Sequence, residues 1–369
     1  MDNATMLLLL DDEYKPLFPA EKGKLHIVGE HFYTEENQLW QWRGFSWFLG
    51  FLRFCRGEDI VPDLKWLRAN GYNIVRVFGP LPWKETPDYR IEGFDFTKFD
   101  QFLSLLEKYG LRCNFSIAHY PHPGVKALAQ GVYDIASRHW NVVTEHVNEP
   151  HVGDKPHPIN DFTGVDHRGI LSSYGWYWEY YDNTPGLPKV LNFGTIHIAR
   201  DAAWDRKARH AQEIQHATGK PWISDEPAKI IEVTQDYPGG KNDPVMTPIQ
   251  MAWHAGICCL YTAGCTVHME VGKWGHTPTD ETPIERDTSN AVRDYVWTQI
   301  NPTWQVGQYN GSHFDNSPVD FVYKIWTYTS LHEERALAIR VALSPEMQAR
   351  HGWIITRFWG PGNSFATLA

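Results

Sequence analysis

The sequence of 369 residues has no long apolar run and no tract rich in lysine and arginine. The leucine-rich stretch from Met6 to Leu10 is too short to span a bilayer, has no basic residues before it and runs into Asp11, so we expect neither a signal peptide nor a membrane span. A formal net charge of −10 argues against a nucleic-acid partner, because binding phosphate groups requires a cationic surface.

Cysteine is also scarce, and the number of cysteines is odd. The sequence has five, mostly within apolar segments: Cys55, Cys113, Cys258, Cys259 and Cys265. An odd, scattered set favours buried reduced thiols over disulfides, and therefore a cytoplasmic protein. A secreted protein whose signal had been removed remains the alternative. There is no fixed-period repeat and no low-complexity segment.

Aromatic residues, by contrast, are abundant, with 17 Trp, 17 Tyr and 18 Phe. They could form a large aromatic core. Many of them stand close to Gly, Pro, Asp and Asn, and flat apolar faces beside polar groups also suit sugar rings. Composition does not choose between these two interpretations.

Two segments combine a short apolar strand pattern with a terminal glutamate and a proline. In residues 141–150, β-branched residues lead into Asn148, Glu149 and a proline that ends strand pairing. Residues 220–227 repeat this pattern and end with Asp225 and Glu226. The period of two places four side chains on one face of the first strand: Val143, Glu145, Val147 and Glu149. Both segments therefore predict a strand that delivers a carboxyl group to the rim of a sheet.

Strand patterns alternate with helix patterns over most of the chain, which predicts a parallel sheet. The predicted strands are 45–50, 72–79, 111–119, 141–150, 189–197, 220–227 and 264–270, and the predicted helices are 59–70, 95–109, 125–140, 201–218, 248–261 and 290–300. These seven strands are one short of a closed (β/α)8 barrel, and we expect the eighth between Val152 and Pro188.

Two segments depart from this alternation. A hairpin pattern at 25–44 precedes the barrel, and after Pro302 short strand patterns follow one another without helices. The sequence thus predicts an α/β protein with a barrel domain at 1–305, which includes the N-terminal β-hairpin, and a small β-rich appendage at 306–369.

The strand end at Asn148-Glu149-Pro150, the second glutamate 77 residues later, Trp42-Arg43-Gly44 and the segment 73–78 together resemble a known family. The sequence resembles the retaining (β/α)8 glycoside hydrolases of clan A, most of all the family 5 cellulase and mannanase group, over residues 25–275. The resemblance implies that Glu149 is the acid/base on the fourth strand and Glu226 the nucleophile on the seventh. Such enzymes need two carboxyl groups about 5–5.5 Å apart and no cofactor or metal.

The resemblance also implies several substrate contacts. Arg76 would lie beside the nucleophile, Asn148 would bond the sugar 2-hydroxyl, and His119 and His197 would line the same subsite. The remaining candidates for substrate contacts, each with a core role as the alternative, are Trp47, Trp176, Trp178, Trp274 and His268. Three departures from the family pattern stand out: Ala199 occupies the place of a tyrosine, His268-Met269-Glu270 replaces a tryptophan at the last strand, and the segment from Val152 to Pro188 is short for a helix plus a strand.

Two other functions remain open. Ala199 permits a catalytically silent barrel that binds carbohydrate or serves a structural role. A metal-dependent barrel hydrolase would use histidines with Asp225, but such barrels open with His-x-His, and 45–47 reads Phe-Ser-Trp. Asp225 also competes with Glu226 as nucleophile, although strand alternation predicts that their side chains point to opposite sides. We therefore predict a retaining hydrolase of β-linked oligosaccharides or polysaccharides. The sequence does not indicate the glycan, the linkage or the oligomeric state.

Overall fold

The computed structural model describes most of the chain up to residue 298 and short strands beyond it. The described residues are 15–81, 86–120, 122–148, 162–177, 192–197, 211, 214–226, 248–269, 274, 283–298, 308–309, 314–315, 326–329, 335–338, 358–359 and 365–366.

A small antiparallel sheet precedes the barrel. Its strands are β1 (His26–Val28), β2 (His31–Tyr33) and β3 (Leu39–Trp40), in that spatial order. The hairpin predicted at 25–44 is present, but its second apolar run is divided. Leu39 and Trp40 pair with β2, whereas Trp42 begins the first barrel strand.

Eight parallel strands form a closed barrel. They are β4 (Trp42–Ser46), β5 (Ile74–Phe78), β6 (Arg112–Ala118), β7 (Val142–Asn148), β8 (Ser172–Tyr177), β9 (Gly194–His197), β10 (Trp222–Ser224) and β11 (Gly264–Val267). The barrel closes where β11 pairs with β4, in a register that places Gly264 opposite Trp42. The prediction of a (β/α)8 barrel is confirmed, and β8 is the strand expected between Val152 and Pro188.

Helices follow most of these strands. They are α1 (Gly50–Cys55), α2 (Val61–Ala69), α3 (Phe96–Lys108), α4 (Val125–Ala136), α5 (Pro248–Tyr261) and α6 (Pro283–Val292), which continues as a π-helix over Arg293–Trp297. Asp95 caps α3 by accepting a hydrogen bond from the Lys98 backbone N–H at 2.9 Å. The sequence did not predict α1, which has six residues and begins without a side-chain cap. Among the described residues, no helix is long and apolar enough to cross a membrane.

The barrel interior is apolar at one end and polar at the other. Ile74, Val143 and Ile223, from three different strands, meet Phe32 and Trp40 of the N-terminal sheet in one buried cluster. The small sheet therefore closes the amino-terminal end of the barrel. Residues that alternate with these interior positions pack outward against the helices. Polar side chains occupy the interior towards the carboxyl ends of the strands, where barrel enzymes place their active sites.

Beyond residue 305 the structure describes three antiparallel strand pairs. They are β12 (Gln308–Tyr309) with β13 (Phe314–Asp315), β14 (Trp326–Thr329) with β15 (Arg335–Ala338), and β16 (Phe358–Trp359) with β17 (Phe365–Ala366). The separation of 306–369 as a domain remains a prediction.

Candidate active site

Arg76 lies at the centre of the polar end of the barrel. Its Nη1 donates to Glu226 Oε1 at 2.5 Å, and its Nη2 donates to Glu145 Oε1 at 2.7 Å and Asn148 Oδ1 at 2.6 Å. The side chain of Arg76 is fully buried because β5 alternates, with Val75 and Val77 packed outward. We call Arg76, Glu145, Asn148, His197, Asp225 and Glu226 the Arg76 cluster.

Strand β7 supplies two members of the cluster through an irregularity. Glu145 and Asn148 are three residues apart, and a regular strand would point them to opposite faces. The pairing of β7 with β8 shifts register between these two residues, which is a β-bulge. Both side chains therefore reach Arg76, while Val147 packs in the outer core. The prediction that Val147 shares the face of Glu145 is wrong, because the bulge interrupts the alternation.

Glu145 is fully buried and held by three donors. Besides Arg76, Ser116 Oγ donates to Oε1 at 2.7 Å and Thr195 Oγ1 to Oε2 at 3.3 Å. Gly175 makes room for the carboxylate, since a Cβ there would lie 2.9 Å from Oε2. Burial alone would raise the pKa of Glu145, but the charge of Arg76 and these hydrogen bonds lower it below the ordinary value. Glu145 is therefore an ionised carboxylate at neutral pH.

Asp225 and Glu226 follow β10 and face the same partners. Asp225 Oδ2 lies 3.4 Å from Arg76 Nε and its Oδ1 lies 3.3 Å from His197 Nε2, while Glu226 Oε2 lies 3.5 Å from His197 Nδ1. The prediction that the two carboxyl groups point to opposite sides is wrong, because the strand ends at Ser224 and its alternation ends there too. Burial raises the pKa of Asp225 to about 8, against the opposing effects of Arg76 and His197.

Glu145, His197 and Asp225 have one potential ligand atom each within 4.8 Å of one another, a spacing that a metal ion could use. The guanidinium of Arg76 lies among them and already pairs with both carboxyl groups. A second cation here would be repelled by Arg76 across a few ångströms of buried space. The arrangement therefore fits an arginine-centred anionic site better than a metal centre.

Aromatic rings form one wall beside the cluster. Phe48 stacks on Phe78 with ring centroids 4.0 Å apart, His119 lies 4.1 Å from Phe78, and His268 lies 5.2 Å from Phe48. The Arg76 Cζ atom is 5.0 Å from the Phe78 ring, so this wall borders the charged centre. His119 and Asn148 are partly exposed and mark the open side. Desolvation lowers the pKa of His119 to about 3, so its imidazole is neutral.

Two of the predicted substrate-binding tryptophans lie elsewhere. Trp47 and Trp274 are fully buried in the core between barrel and helices, where their rings meet at 5.8 Å. Trp274 also stacks on Trp66 at 4.9 Å, and a Cβ on Gly50 would lie 2.5 Å from the Trp47 ring. The structure contradicts the predicted substrate contacts of Trp47 and Trp274, because both rings lie in the core between barrel and helices, away from the Arg76 cluster.

The remaining predicted residues divide into two groups. Arg76, Asn148, His197 and Glu226 come together in one cluster, with His119 and His268 on the adjoining wall. Glu149 and Trp178 lie outside the described residues, and of Trp176 the structure describes the backbone in β8 but not the side chain.

Sequence reasoning gave no functional role to Glu145, Ser116 or Thr195, which complete the buried surroundings of Arg76. One signal was available for Glu145: a carboxylate in the interior of a buried β-branched strand requires a partner. Ser116 and Thr195 resemble ordinary strand residues and carry no such signal.

The comparisons with known proteins concern the fold. No protein-family model and no curated protein matches the sequence. A family 5 glycoside hydrolase structure from Bacteroides vulgatus is 14% identical with a TM-score of 0.57, covering 89% of this chain and 80% of that chain. A β-mannanase from Thermomonospora fusca is 13% identical with a TM-score of 0.51, covering 74% and 97%. A β-glucanase from Saccharophagus degradans is 14% identical with a TM-score of 0.52, covering 78% and 98%. At this identity the likeness shows a shared barrel fold.

Proposed function

We propose that the protein is a glycoside hydrolase that cleaves β-linked glycans with net retention of anomeric configuration. The observation that supports this proposal most directly is that residues at the ends of two barrel strands bind the same guanidinium, that of Arg76. Asn148 ends the fourth barrel strand, Glu226 follows the seventh, and both accept hydrogen bonds from Arg76. This is the strand order that the resemblance to clan A implies for acid/base and nucleophile, and the three solved structures above share the fold.

Glu226 is the proposed nucleophile. The hydrogen bond from Arg76 at 2.5 Å favours its ionised form, which the attack on an anomeric carbon requires. Asp225 is the rival carboxyl group, but its side chain is fully buried, whereas that of Glu226 is 7% exposed. The raised pKa of Asp225 also leaves it protonated at neutral pH, which removes its nucleophilicity. These differences support Glu226 over Asp225.

Glu149 is the proposed acid/base. It follows Asn148 directly in the chain, and the position of Asn148 on Arg76 places the end of this strand at the cluster. A retaining enzyme requires the two carboxyl groups to be about 5–5.5 Å apart. The structure does not describe Glu149, so its role rests on the strand order and on the position of its neighbour.

The proposed reaction has two displacements. In the first, a Glu226 oxygen bonds to the anomeric carbon while the glycosidic C–O bond breaks and Glu149 donates its proton to the leaving oxygen. In the second, Glu149 takes a proton from water, the water oxygen bonds to the anomeric carbon, and the bond to Glu226 breaks. The proton on Glu149 and the carboxylate of Glu226 are thereby restored.

Asn148, His119, His197 and His268 are the proposed substrate neighbours, since they line or border the cluster. A neutral His119 can donate or accept a hydrogen bond with a sugar hydroxyl. Trp176 and Trp178 stay candidates for stacking on sugar rings. The names of two similar structures, a β-mannanase and a β-glucanase, make β-mannan and β-glucan the first substrates to test.

The test measures reducing-sugar release from β-mannan, β-glucan, xylan and aryl β-glycosides by the purified protein and by Glu149→Gln and Glu226→Gln. We expect turnover on one class and a loss of at least ~100-fold in each variant, in line with the contribution of a positioned acid or base. Glu92→Gln is the matched control, because Glu92 is exposed and should keep full activity. Product anomers followed by NMR should retain the configuration.

Four outcomes would contradict the proposal. Activity that is indifferent to both glutamates would remove their roles, and inversion of the anomeric configuration would remove the double displacement. Carbohydrate binding without turnover would support a silent barrel instead. Loss of turnover in EDTA, restored by a divalent metal, would favour the metal-dependent hydrolase.

A further inference from the structure

The Arg76 cluster holds more carboxyl groups than the proposed reaction uses. Glu145, Asp225 and Glu226 all face the positive charge of Arg76, and Asp225 and Glu226 also lie 3.3 and 3.5 Å from His197. Glu145 and Asp225 are fully buried. If all three were ionised, the buried site would hold an excess of negative charge, which is costly in a region of low dielectric constant. One proton on one of the carboxyl groups relieves this excess.

The hydrogen bonds indicate which carboxyl group takes the proton. Glu145 receives hydrogen bonds from Arg76 and Ser116 at 2.7 Å each and a longer one from Thr195, and such donors stabilise an ionised group. Asp225 has only looser ion-pair contacts, with Arg76 Nε at 3.4 Å and His197 Nε2 at 3.3 Å. Within the part of the chain that the structure describes, no N–H or O–H group makes a well-aligned hydrogen bond to either Asp225 oxygen.

A carboxyl oxygen of Asp225 lies within 4.8 Å of one of Glu145, and hydrogen bonding between the two groups lowers the pKa of Glu145 and raises that of Asp225. Two carboxylates repel at this distance, whereas an acid and a carboxylate share a strong hydrogen bond. The described groups that face the pair are Arg76 from β5, His197 from β9 and Glu226 from the segment of Asp225, with His119 close to Glu145. Arg76 already carries its proton, and burial keeps His119 neutral. Of the other groups only His197 has a higher ordinary pKa than Glu145, and it lies 3.3 Å from Asp225 and 3.5 Å from Glu226, so its imidazole is the rival holder of the proton.

We propose that Asp225 is a positioning residue that carries a proton and donates it in a hydrogen bond to Glu145, so that Arg76 remains paired with the carboxylate of Glu226. The residue acts through Glu145 and Arg76 and does not touch the substrate. When Asp225 loses its proton to solvent at high pH, a third negative charge beside Arg76 competes with Glu226 for the guanidinium. This last consequence rests on the proposed function, whereas the location of the proton does not.

The first test counts the proton without using activity. In the unfolded chain Asp225 ionises near pH 4, and in the folded protein its pKa is about 8. Between these values the folded state binds one more proton, so stability falls as pH rises through this window and levels off above it. One proton corresponds to a tenfold rise in the unfolding equilibrium constant per pH unit. Urea titrations from pH 5 to 7 measure how the free energy of unfolding depends on pH. This free energy should fall with rising pH in the wild type, and the fall should correspond to one proton more than in Asp225→Asn.

Two further variants keep this test decisive. Asp287→Asn is the matched control, because Asp287 is exposed and should leave the slope of the wild type unchanged. If Asp225→Asn does not fold, Glu145→Gln gives the answer, because removing the negative partner should move the proton-linked window to lower pH. Equal slopes in the wild type and Asp225→Asn, or an unmoved window in Glu145→Gln, would overturn the proposal.

The second test uses turnover and separates this proposal from the proposed function. The alkaline side of kcat/KM depends on the proton of Glu149 and, if Asp225 is coupled to Glu226, on the proton of Asp225 as well. The wild type should therefore lose activity with the loss of two protons and Asp225→Asn with the loss of one, so that the alkaline limb of the variant is less steep. Limbs of equal steepness in both proteins would overturn the coupling to Glu226. If no glycoside is cleaved, the proposed function fails, and the proton count still decides the state of Asp225.

Discussion

Arg76 is a single residue on which three carboxyl groups depend. It is fully buried, and its guanidinium pairs with Glu145, Asp225 and Glu226 at 2.7, 3.4 and 2.5 Å. Their charges raise the pKa of Arg76, although burial alone would lower it. We expect Arg76→Met to lower the free energy of unfolding by about 3–5 kcal/mol, because it leaves buried carboxylates without a cation. Urea denaturation at neutral pH measures this change, and turnover should be lost.

Arg56→Met is the matched control for this prediction. Arg56 pairs with Asp88 at 2.8 Å, but both side chains are exposed, so its removal should cost less than ~1 kcal/mol. Equal effects of the two substitutions would mean that the buried pairs add nothing beyond a surface pair. The loss of stability in Arg76→Lys should lie between the losses in Arg76→Met and Arg56→Met, since lysine keeps the charge and loses the forked geometry of the guanidinium.

At this scale the sequence predicts some residues better than others. Arg76 and Glu226 could be predicted, because each ends or follows a short apolar strand, and parallel strand ends meet at one rim. Trp47 and Trp274 could not be assigned, because a tryptophan that fills a core and one that stacks on a sugar are alike in sequence. Glu145 was missed as a site residue, since its partners come from three other strands.

At the scale of elements, the fit between β7 and β8 determines where Glu145 lies. The bulge in β7 directs Glu145 and Asn148 to the same side, and Gly175 of β8 leaves space for the Glu145 carboxylate. We expect Gly175→Ala to cost about 1–3 kcal/mol of stability, because the added methyl would lie 2.9 Å from Glu145 Oε2 and push the carboxylate from Arg76. Thermal unfolding and turnover, measured together, should both decline.

Gly93→Ala tests whether this effect is specific to the space beside Glu145. A Cβ on Gly93 would meet no atom within 4 Å, so this variant should stay within about 0.5 kcal/mol of the wild type. Full stability and turnover in Gly175→Ala would show that β8 can shift to accommodate the methyl group. Gly175 would then not be needed to position Glu145.

The elements themselves could be predicted where the apolar period was clear. The sequence predicted a helix over 95–109, where α3 spans Phe96–Lys108, and the alternation of strand and helix patterns predicted most of the barrel. β8 could be expected only from the count, because glycine and aromatic residues obscure its period. The bulge in β7 could not be predicted, because it depends on pairing with β8, which local sequence does not encode.

For the whole molecule, barrel closure explains why the fold was predictable. Each strand–helix unit needs only its neighbours, so local patterns repeated along the chain are enough to specify a closed parallel sheet. The capping sheet at the amino-terminal end follows the same logic, because the buried cluster of Phe32 and Trp40 covers the apolar end of the interior. The polar end of the barrel, which holds the Arg76 cluster, depends instead on side chains from many strands, and its details therefore needed the structure.

The positions of the barrel strands in the sequence also predict which C-terminal residues can be deleted without unfolding the barrel. All eight barrel strands lie between Trp42 and Val267, and among the described residues the last helical segment that packs on them ends at Trp297. We therefore expect a variant that ends at residue 305 to fold, with a far-UV spectrum of a barrel and a Tm within about 2–4 °C of the full chain, or roughly 1 kcal/mol.

A variant that ends at residue 262 is the control: it lacks β11, so β10 and β4 are left as open edges and it should not fold. If the variant ending at 305 is insoluble or melts far lower, segment 306–369 is part of the barrel's stability, and the proposed division into two domains is wrong. If it folds and keeps turnover, the barrel alone holds both the fold and the proposed site.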